Sequence, residues 1–245
     1  MQTTPPLFIK NRIARAFNAF SLSPGIEPAG EQAVIPGDMG INTRSSAEAT
    51  SLNRSVLLTK LGRNPANLAL VKQVHGSHIV YAERHGILGE ADGLVTDRPE
   101  IDLGILVADC AAVLMADTKN GVIGAFHAGW RGAVANILPA GLSAMRELGA
   151  REIAAWISPC ISPQAFEVGE EVADSFPSAF VLRQGKDKPH VDLPGFLMNQ
   201  MVEGGIRARS IRVDGRCTMT DRRFFSYRRQ GRDSGRMLAV IGLKA

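Results

Sequence analysis

Between residues 103 and 148 the hydrophobic period of the chain changes once, and that change limits the folds open to it. Short β-rich runs at 105–107, 112–116 and 122–126 are separated by polar breaks such as Asp117-Thr118-Lys119-Asn120-Gly121. Val134, Leu138, Leu142, Met145 and Leu148 then recur at helical spacing. This predicts an amphipathic helix over 132–148, kinked at Pro139. Strands that lead into a helix in this way put α and β structure within one domain, an α+β class.

The rest of the chain reads in the same mixed manner. Strands are predicted at 68–74, 79–82, 153–157, 179–182, 211–213, 224–227 and 237–241. Helices are predicted at 47–61, with Leu52, Val56 and Leu57 on one face, at 168–176, and from Asp192-Leu193-Pro194 onward, where Asp192 is the N-cap. Pro24, Gly25, Pro28, Gly30, Pro36, Gly37 and Gly40 make 21–40 an extended loop within an irregular segment of about 1–45. No repeat or linker tract divides the 245 residues, so a single domain over 1–245 is expected.

The longest apolar stretch, 103–116, carries Asp109 in its middle and falls well short of the ~20 residues a membrane span needs. Residues 1–6 lack a basic n-region followed by an apolar core, so no secretory signal is expected. Three cysteines do not make a disulfide framework, and a reducing, cytoplasmic setting fits them best.

Net charge is +4, unevenly placed. Between Arg207 and Arg236 ten arginines face three acids, giving this segment about +7 and the remainder about −3. Such a cluster is a solvated face, a nucleic-acid patch, or a pocket for an anionic small molecule. No zinc-knuckle, RNP-type or helix-turn-helix signature accompanies it, which ranks nucleic acid lowest.

Two histidines and a cysteine stand at element ends. His127 closes the apolar strand and precedes Ala128-Gly129-Trp130-Arg131-Gly132, a strand-to-helix turn of the kind that points side chains into a crevice. His75 lies in Gln73-Val74-His75-Gly76, and Cys110 follows Val107-Ala108-Asp109. One His, one Cys and one His suit a tetrahedral zinc site with the fourth position open. The spacings of 35 and 17 residues are unlike those of paired structural fingers. Two other readings remain open on the residues alone: a Cys110 nucleophile with His127 as base, and a buried small hydrophobe with two structural histidines. His78 and His85 read as structural or exposed.

Gln73-Val74-His75-Gly76, Ala91-Asp92-Gly93, Ala108-Asp109-Cys110, His127-Ala128-Gly129-Trp130-Arg131-Gly132 and Phe224-Phe225-Ser226-Tyr227-Arg228-Arg229 occur in that order. From about Asn53 to the C-terminus the chain resembles the YfiH/DUF152 family of laccase-domain proteins, which includes purine nucleoside phosphorylases and the peptidoglycan editing factor PgeF. The resemblance implies a four-layer α/β/β/α sandwich with mixed β-sheets, and zinc held by His75, Cys110 and His127. The chain departs from the family pattern at Ser21-Leu22-Ser23-Pro24-Gly25, with Met39-Gly40-Ile41-Asn42 further on, and at Gln164-Ala165-Phe166-Glu167-Val168.

The resemblance also implies phosphorolysis of purine nucleosides (adenosine, inosine, guanosine, methylthioadenosine) with some adenosine deamination. A zinc-activated water suits deamination, and Asp109 is the acid for proton transfer or for holding a ligand. Phosphate would be met by Arg131 near a helix N-terminus, and by Ser226 and Arg228, which alternate on the predicted strand. The resemblance alone adds Arg54, and Trp130 could stack on a base. The similarity to the peptidoglycan editing factor implies a different class of function, hydrolysis of L-Ser from UDP-MurNAc-L-Ser, a nucleotide-sugar precursor. Multicopper oxidation is the weakest reading, because five histidines with no His-x-His pair cannot build its clusters, although copper would also bind a His-Cys-His site.

Overall fold

The computed structural model describes residues 8–13, 16–23, 37–183 and 188–243. In chain order the first elements are β1 (Phe8–Ile13), β2 (Ala16–Ser21), α1 (Ala47–Lys60), β3 (Leu68–Lys72), β4 (Ile79–Tyr81), β5 (Gly86–Glu90) and β6 (Gly93–Thr96). The middle holds β7 (Asp102–Val107), β8 (Ala111–Asp117), β9 (Val122–Ala128), α2 (Trp130–Val134), α3 (Ile137–Glu147), β10 (Ala154–Ile157) and α4 (Glu170–Ala173). The chain closes with β11 (Val181–Leu182), β12 (His190–Val191), α5 (Leu193–Glu203), β13 (Ile211–Val213), α6 (Tyr227–Gln230) and β14 (Met237–Gly242).

Among the described residues twelve strands form two six-stranded sheets, ordered β1-β2-β14-β7-β3-β5 and β13-β10-β8-β9-β6-β4, and β11 pairs with β12. Both sheets are mixed: β3 runs parallel to β5 and β7, and β10 and β4 run parallel to β13 and β6.

Side-chain alternation explains why the central strands read as continuous apolar runs. On β7 and β14, Leu103, Ile105, Val107, Met237, Ala239 and Ile241 point between the sheets and meet Ala112, Leu114, Ile123, Ala125 and Trp156. The opposite faces of the first sheet, with Leu106, Leu238 and Val240, pack on Leu57 and Leu58 of α1. Val113, Met115 and Phe126 of the second sheet pack on Leu138, Leu142 and Met145 of α3 and Leu197 and Met201 of α5. Three apolar layers between four layers of structure make the α/β/β/α sandwich.

Several elements differ from the sequence expectation, each for a local reason. The predicted helix 132–148 is two helices, because Asn136 takes the left-handed conformation (φ 63°) that Asn tolerates. Pro139 therefore sits in the first turn of α3, where its missing N–H costs nothing. Leu52 of α1 is 64% exposed and Val56 is also exposed. Of the predicted face Leu57 alone points inward, joined by Thr50 and Leu58, with Asn53 and Arg54 bonding the carbonyls of Asp38, Met39 and Gly40. The segment read as irregular contributes β1 and β2. Of the loop expected over 21–40, residues 24–36 lie outside the described residues.

One buried carboxylate fixes the corner where β8, β9 and β10 meet. Asp117, fully buried, accepts N–H groups of Lys119, Asn120, Arg151 and Glu152. Burial alone would push its pKa up, but these donors outweigh it and hold the pKa at about 2. Its unfolded value is ~3.9. A lowered pKa means that the stabilisation, about 3 kcal/mol, is complete above about pH 5 and lost as pH falls through about 2. Urea unfolding between pH 5 and 2 should show this slope, and the Asp117→Asn variant should be less stable at pH 7 and lack it. An unchanged slope in the variant would remove Asp117 as its source.

Candidate metal centre

The open end of the layer between the sheets gathers the three predicted ligands. On β9, His127 follows Ile123 and Ala125 in pointing between the sheets, and it is buried. Its ladder partner is Ala112 on β8, two residues after Cys110, so the thiol and the imidazole share one face. Cys110 itself lies where the chain crosses from β7 to β8, a turn held by Asp109 at φ 78°. The other sheet supplies His75. Beyond β3, the Gln73 amide donates to the carbonyl of Leu106 (2.7 Å) and accepts from its N–H (2.8 Å), which extends the pairing of β3 with β7. The chain then turns at His75, φ 62°, a conformation that costs free energy and recurs at functional sites.

That turn closes around Asp92, which precedes β6 and is fully buried. Its carboxylate accepts the N–H groups of Val74 (3.2 Å), His75 (2.9 Å) and Gly76 (2.6 Å) and lies 2.7 Å from His127 Nδ1. Burial pushes the Asp92 carboxyl up, but the His127 ring and the backbone donors outweigh it and keep the carboxyl below its ordinary value. With Nδ1 held, His127 has Nε2 left for a ligand, the carboxylate–histidine arrangement usual at metal sites.

Ligand atoms of His75, Cys110 and His127 lie within 4.8 Å of one another. The two imidazoles meet edge to face, 4.7 Å between centroids. Burial pushes the Cys110 thiol up and the His127 imidazole down, but each acts on the other in the opposite sense. The thiol is pulled down to about 6, helped by hydrogen bonds from both imidazoles, and the imidazole is raised to about 9 by Cys110 and Asp92. A sulfur held as thiolate beside two imidazoles is a donor set that fits zinc, with a position left toward the cavity. Close approach is secured by glycine: a methyl group on Gly129 would lie 2.8 Å from Cys110 Sγ, and one on Gly132 2.8 Å from the carbonyl oxygen of Gly76.

These three side chains line a cavity of about 540 Å³. Its walls include Trp130, Phe166, Tyr227, Ile161 and Leu193, together with Asp109, Arg228 and Arg236. Of the stretches that depart from the family pattern, 39–42 and 164–168 reach it, through Ile41, Asn42 and Phe166.

The remaining predicted residues are gathered differently than expected. Residues 224–227 form no strand. Phe224 and Phe225 are buried between the sheets, and Ser226 caps α6 by accepting the N–H of Arg229. Asp109 rather than strand alternation brings Ser226 and Arg228 together. Its carboxylate accepts Thr218 Oγ1 (2.6 Å), Ser226 Oγ (3.0 Å) and the Arg228 N–H (2.6 Å). Arg131 is exposed, with its guanidinium 4.4 Å from the Trp130 ring centroid, and it does not line the cavity. The helix behind it, α2, is only five residues long. Arg54 braces the carbonyls of Met39 and Gly40. Much of the arginine cluster is internal structure: Arg216 and Arg223 pair with Asp214 and Asp221, and Arg229 binds the carbonyls of Thr218, Met219 and Phe224. Asp92, Thr218 and Arg236 carry no role in the sequence reading, although Ala91-Asp92-Gly93 is one of its motifs.

Residues 32–244 match the family model described as multi-copper polyphenol oxidoreductase laccase. A purine nucleoside phosphorylase of Deinococcus radiodurans is 42% identical over 197 residues, 78% of this chain and 76% of that protein. A purine nucleoside phosphorylase of Mycobacterium tuberculosis is 32% identical over 214 residues, 84% of each. Among solved structures, YlmD from Geobacillus stearothermophilus superposes with a TM-score of 0.87 at 26% identity, over 98% of this chain and all of that one. Bacillus licheniformis YfiH gives 0.85 at 24% identity, over 94% and 93%, a likeness of fold. The multicopper description finds no matching clusters: of five histidines only His75 and His127 join a group of three metal-ligating side chains among the described residues. No helix among the described residues is long and apolar enough to cross a membrane.

Proposed function

The chain belongs to the laccase-domain (YfiH/DUF152) family, and we propose that residues 1–245 form one unit acting as a zinc-dependent purine nucleoside phosphorylase. Its substrates are adenosine, inosine, guanosine and methylthioadenosine, with deamination of adenosine as a second reaction. The observation that carries this reading is a His-Cys-His group in the wall of a cavity that also holds aromatic rings and an arginine with no acidic partner among the described residues. The phosphorylase names of the relatives support it.

When bound at His75, Cys110 and His127, zinc supplies Lewis acidity, which makes water a nucleophile near neutral pH and stabilises developing negative charge. The chain supplies the rest. Trp130, Phe166 and Tyr227 offer faces on which a flat purine stacks and water is excluded. Arg228 uses one terminal nitrogen on the carbonyl of Glu167 (2.9 Å) and keeps its other donors for phosphate. Asp109 acts through position: with three donors on its carboxylate, it holds Cys110 on one side and α6, with Ser226 and Arg228, on the other. Ser226, fully buried, likewise acts through the helix it caps. Arg131 reaches substrate only as a cation over the Trp130 ring.

Product analysis of zinc-loaded protein with adenosine, with and without phosphate, tests this directly. Adenine and ribose 1-phosphate should form only with phosphate, and inosine in both tubes. No turnover in either tube would overturn the proposal.

A further inference from the structure

We propose that Arg236 is the second anion-binding cation of the cavity and that the buried carboxylate of Asp38 is its positioning residue. The inference rests on the phosphate-dependent reading above and adds to it a residue from a different part of the chain.

Arg236 is the residue before β14, half-buried in the cavity wall. One terminal nitrogen donates to the carbonyls of Ser234 (2.8 Å) and Gly235 (3.0 Å), which leaves the other donors of the fork. The pairing of neighbouring arginines makes the contrast. Arg44, Arg63, Arg183, Arg216 and Arg223 each meet a carboxylate, whereas among the described residues the guanidinium groups of Arg228 and Arg236 donate only to carbonyl oxygens and lie near the rings of Phe166 and Tyr227. Asp109, the carboxylate in the cavity lining, is occupied by its three donors. Two guanidinium groups without a counter-charge in one cavity select an anion with several acceptor oxygens, such as phosphate.

The backbone of Arg236 is clamped from both sides. Its N–H donates to Asp38 Oδ1 (2.8 Å), and its carbonyl accepts the N–H of Met39 (2.9 Å). Asp38 is fully buried and also accepts the Gly40 N–H (2.9 Å) and Thr43 Oγ1 (2.5 Å). A charge removed from water in this way persists only where donors surround it. These donors join the start of β14 to the loop that brings Ile41 and Asn42 to the cavity. Asp38 therefore fixes where the Arg236 fork can reach.

The test is titration of zinc-loaded protein with inorganic phosphate, paired with separate KM values for phosphate and adenosine. Arg236→Gln should weaken phosphate binding by about tenfold or more, as loss of a charge-assisted contact does. Asp38→Asn should weaken it by roughly three- to tenfold, and Thr43→Val, which removes one bond from the same carboxylate, by less. Adenosine KM and zinc content should stay within about twofold of wild type, and Arg212→Gln, on the exposed edge of β13, should change nothing. Phosphate binding by wild type that is unaltered in Arg236→Gln would overturn the anion role alone. Normal phosphate affinity in Thr43→Val and in folded Asp38→Asn would overturn the positioning role. No phosphate binding by wild type would overturn this inference together with the phosphorylase reading.

Discussion

Replacing Cys110 by serine should leave a folded protein that binds zinc more than about 100-fold less tightly, since loss of a partner one step removed from a metal already costs about 10–100-fold. The substitution exchanges a thiol for a hydroxyl of nearly the same shape, and the surroundings include Gly129, which leaves room for the larger sulfur. What disappears is a sulfur held as thiolate by His75 and His127. A serine hydroxyl has no comparable tendency to ionise, so only two imidazoles remain where a zinc site would use two nitrogens and a thiolate. Phosphorolysis and deamination should fall together, because both use the same centre. Full zinc content in the variant, measured by elemental analysis after dialysis against a weak chelator, would remove Cys110 from the ligand set.

Asp92→Asn should damage both the centre and the fold. Each carboxylate oxygen takes two donors: Val74 and Gly76 on one, His75 and His127 Nδ1 on the other. An amide turns one of those oxygens into an NH2 group facing donors, and no rotation restores both pairs. Two buried donors without partners cost about 1–3 kcal/mol each, so unfolding should occur roughly 4–24 °C lower. Zinc affinity should fall about 10–100-fold, because His127 loses its fixed orientation and His75 loses the support of a left-handed turn. Thermal unfolding and zinc titration check the two halves separately. Unchanged zinc affinity in a destabilised variant would leave Asp92 with a structural role only.

What was legible in the sequence follows the range of the interactions. The run of β7, β8 and β9 into helix was readable because alternation and helical spacing are local signals. The placing of His75, Cys110 and His127 at element ends was readable locally, but only the family resemblance joined them as one site, because the residues alone left other readings of Cys110 open. The role of Asp92 was not, since its four donors come from two other segments. Phe224-Phe225-Ser226-Tyr227 carries the aromatic composition of a strand, yet two of its rings are drawn between the sheets and its serine toward Asp109, 117 residues earlier. The inward face of α1 was misjudged because polar Asn53 and Arg54, not Leu52 and Val56, hold the loop before it. Charge counting marked the 207–236 segment but could not separate Arg229, spent on three carbonyls, from Arg228 and Arg236 in the cavity wall.

The most direct measurement is the absorption spectrum of the protein loaded with cobalt(II) in place of zinc, with Cys110→Ser as its reference. A thiolate-bound, four-coordinate ion gives an intense near-ultraviolet sulfur-to-metal band and strong visible bands, and addition of phosphate or adenosine should perturb the visible bands. A weak, octahedral-type spectrum in wild type, identical to that of Cys110→Ser, would contradict a His75–Cys110–His127 metal centre facing the substrate cavity.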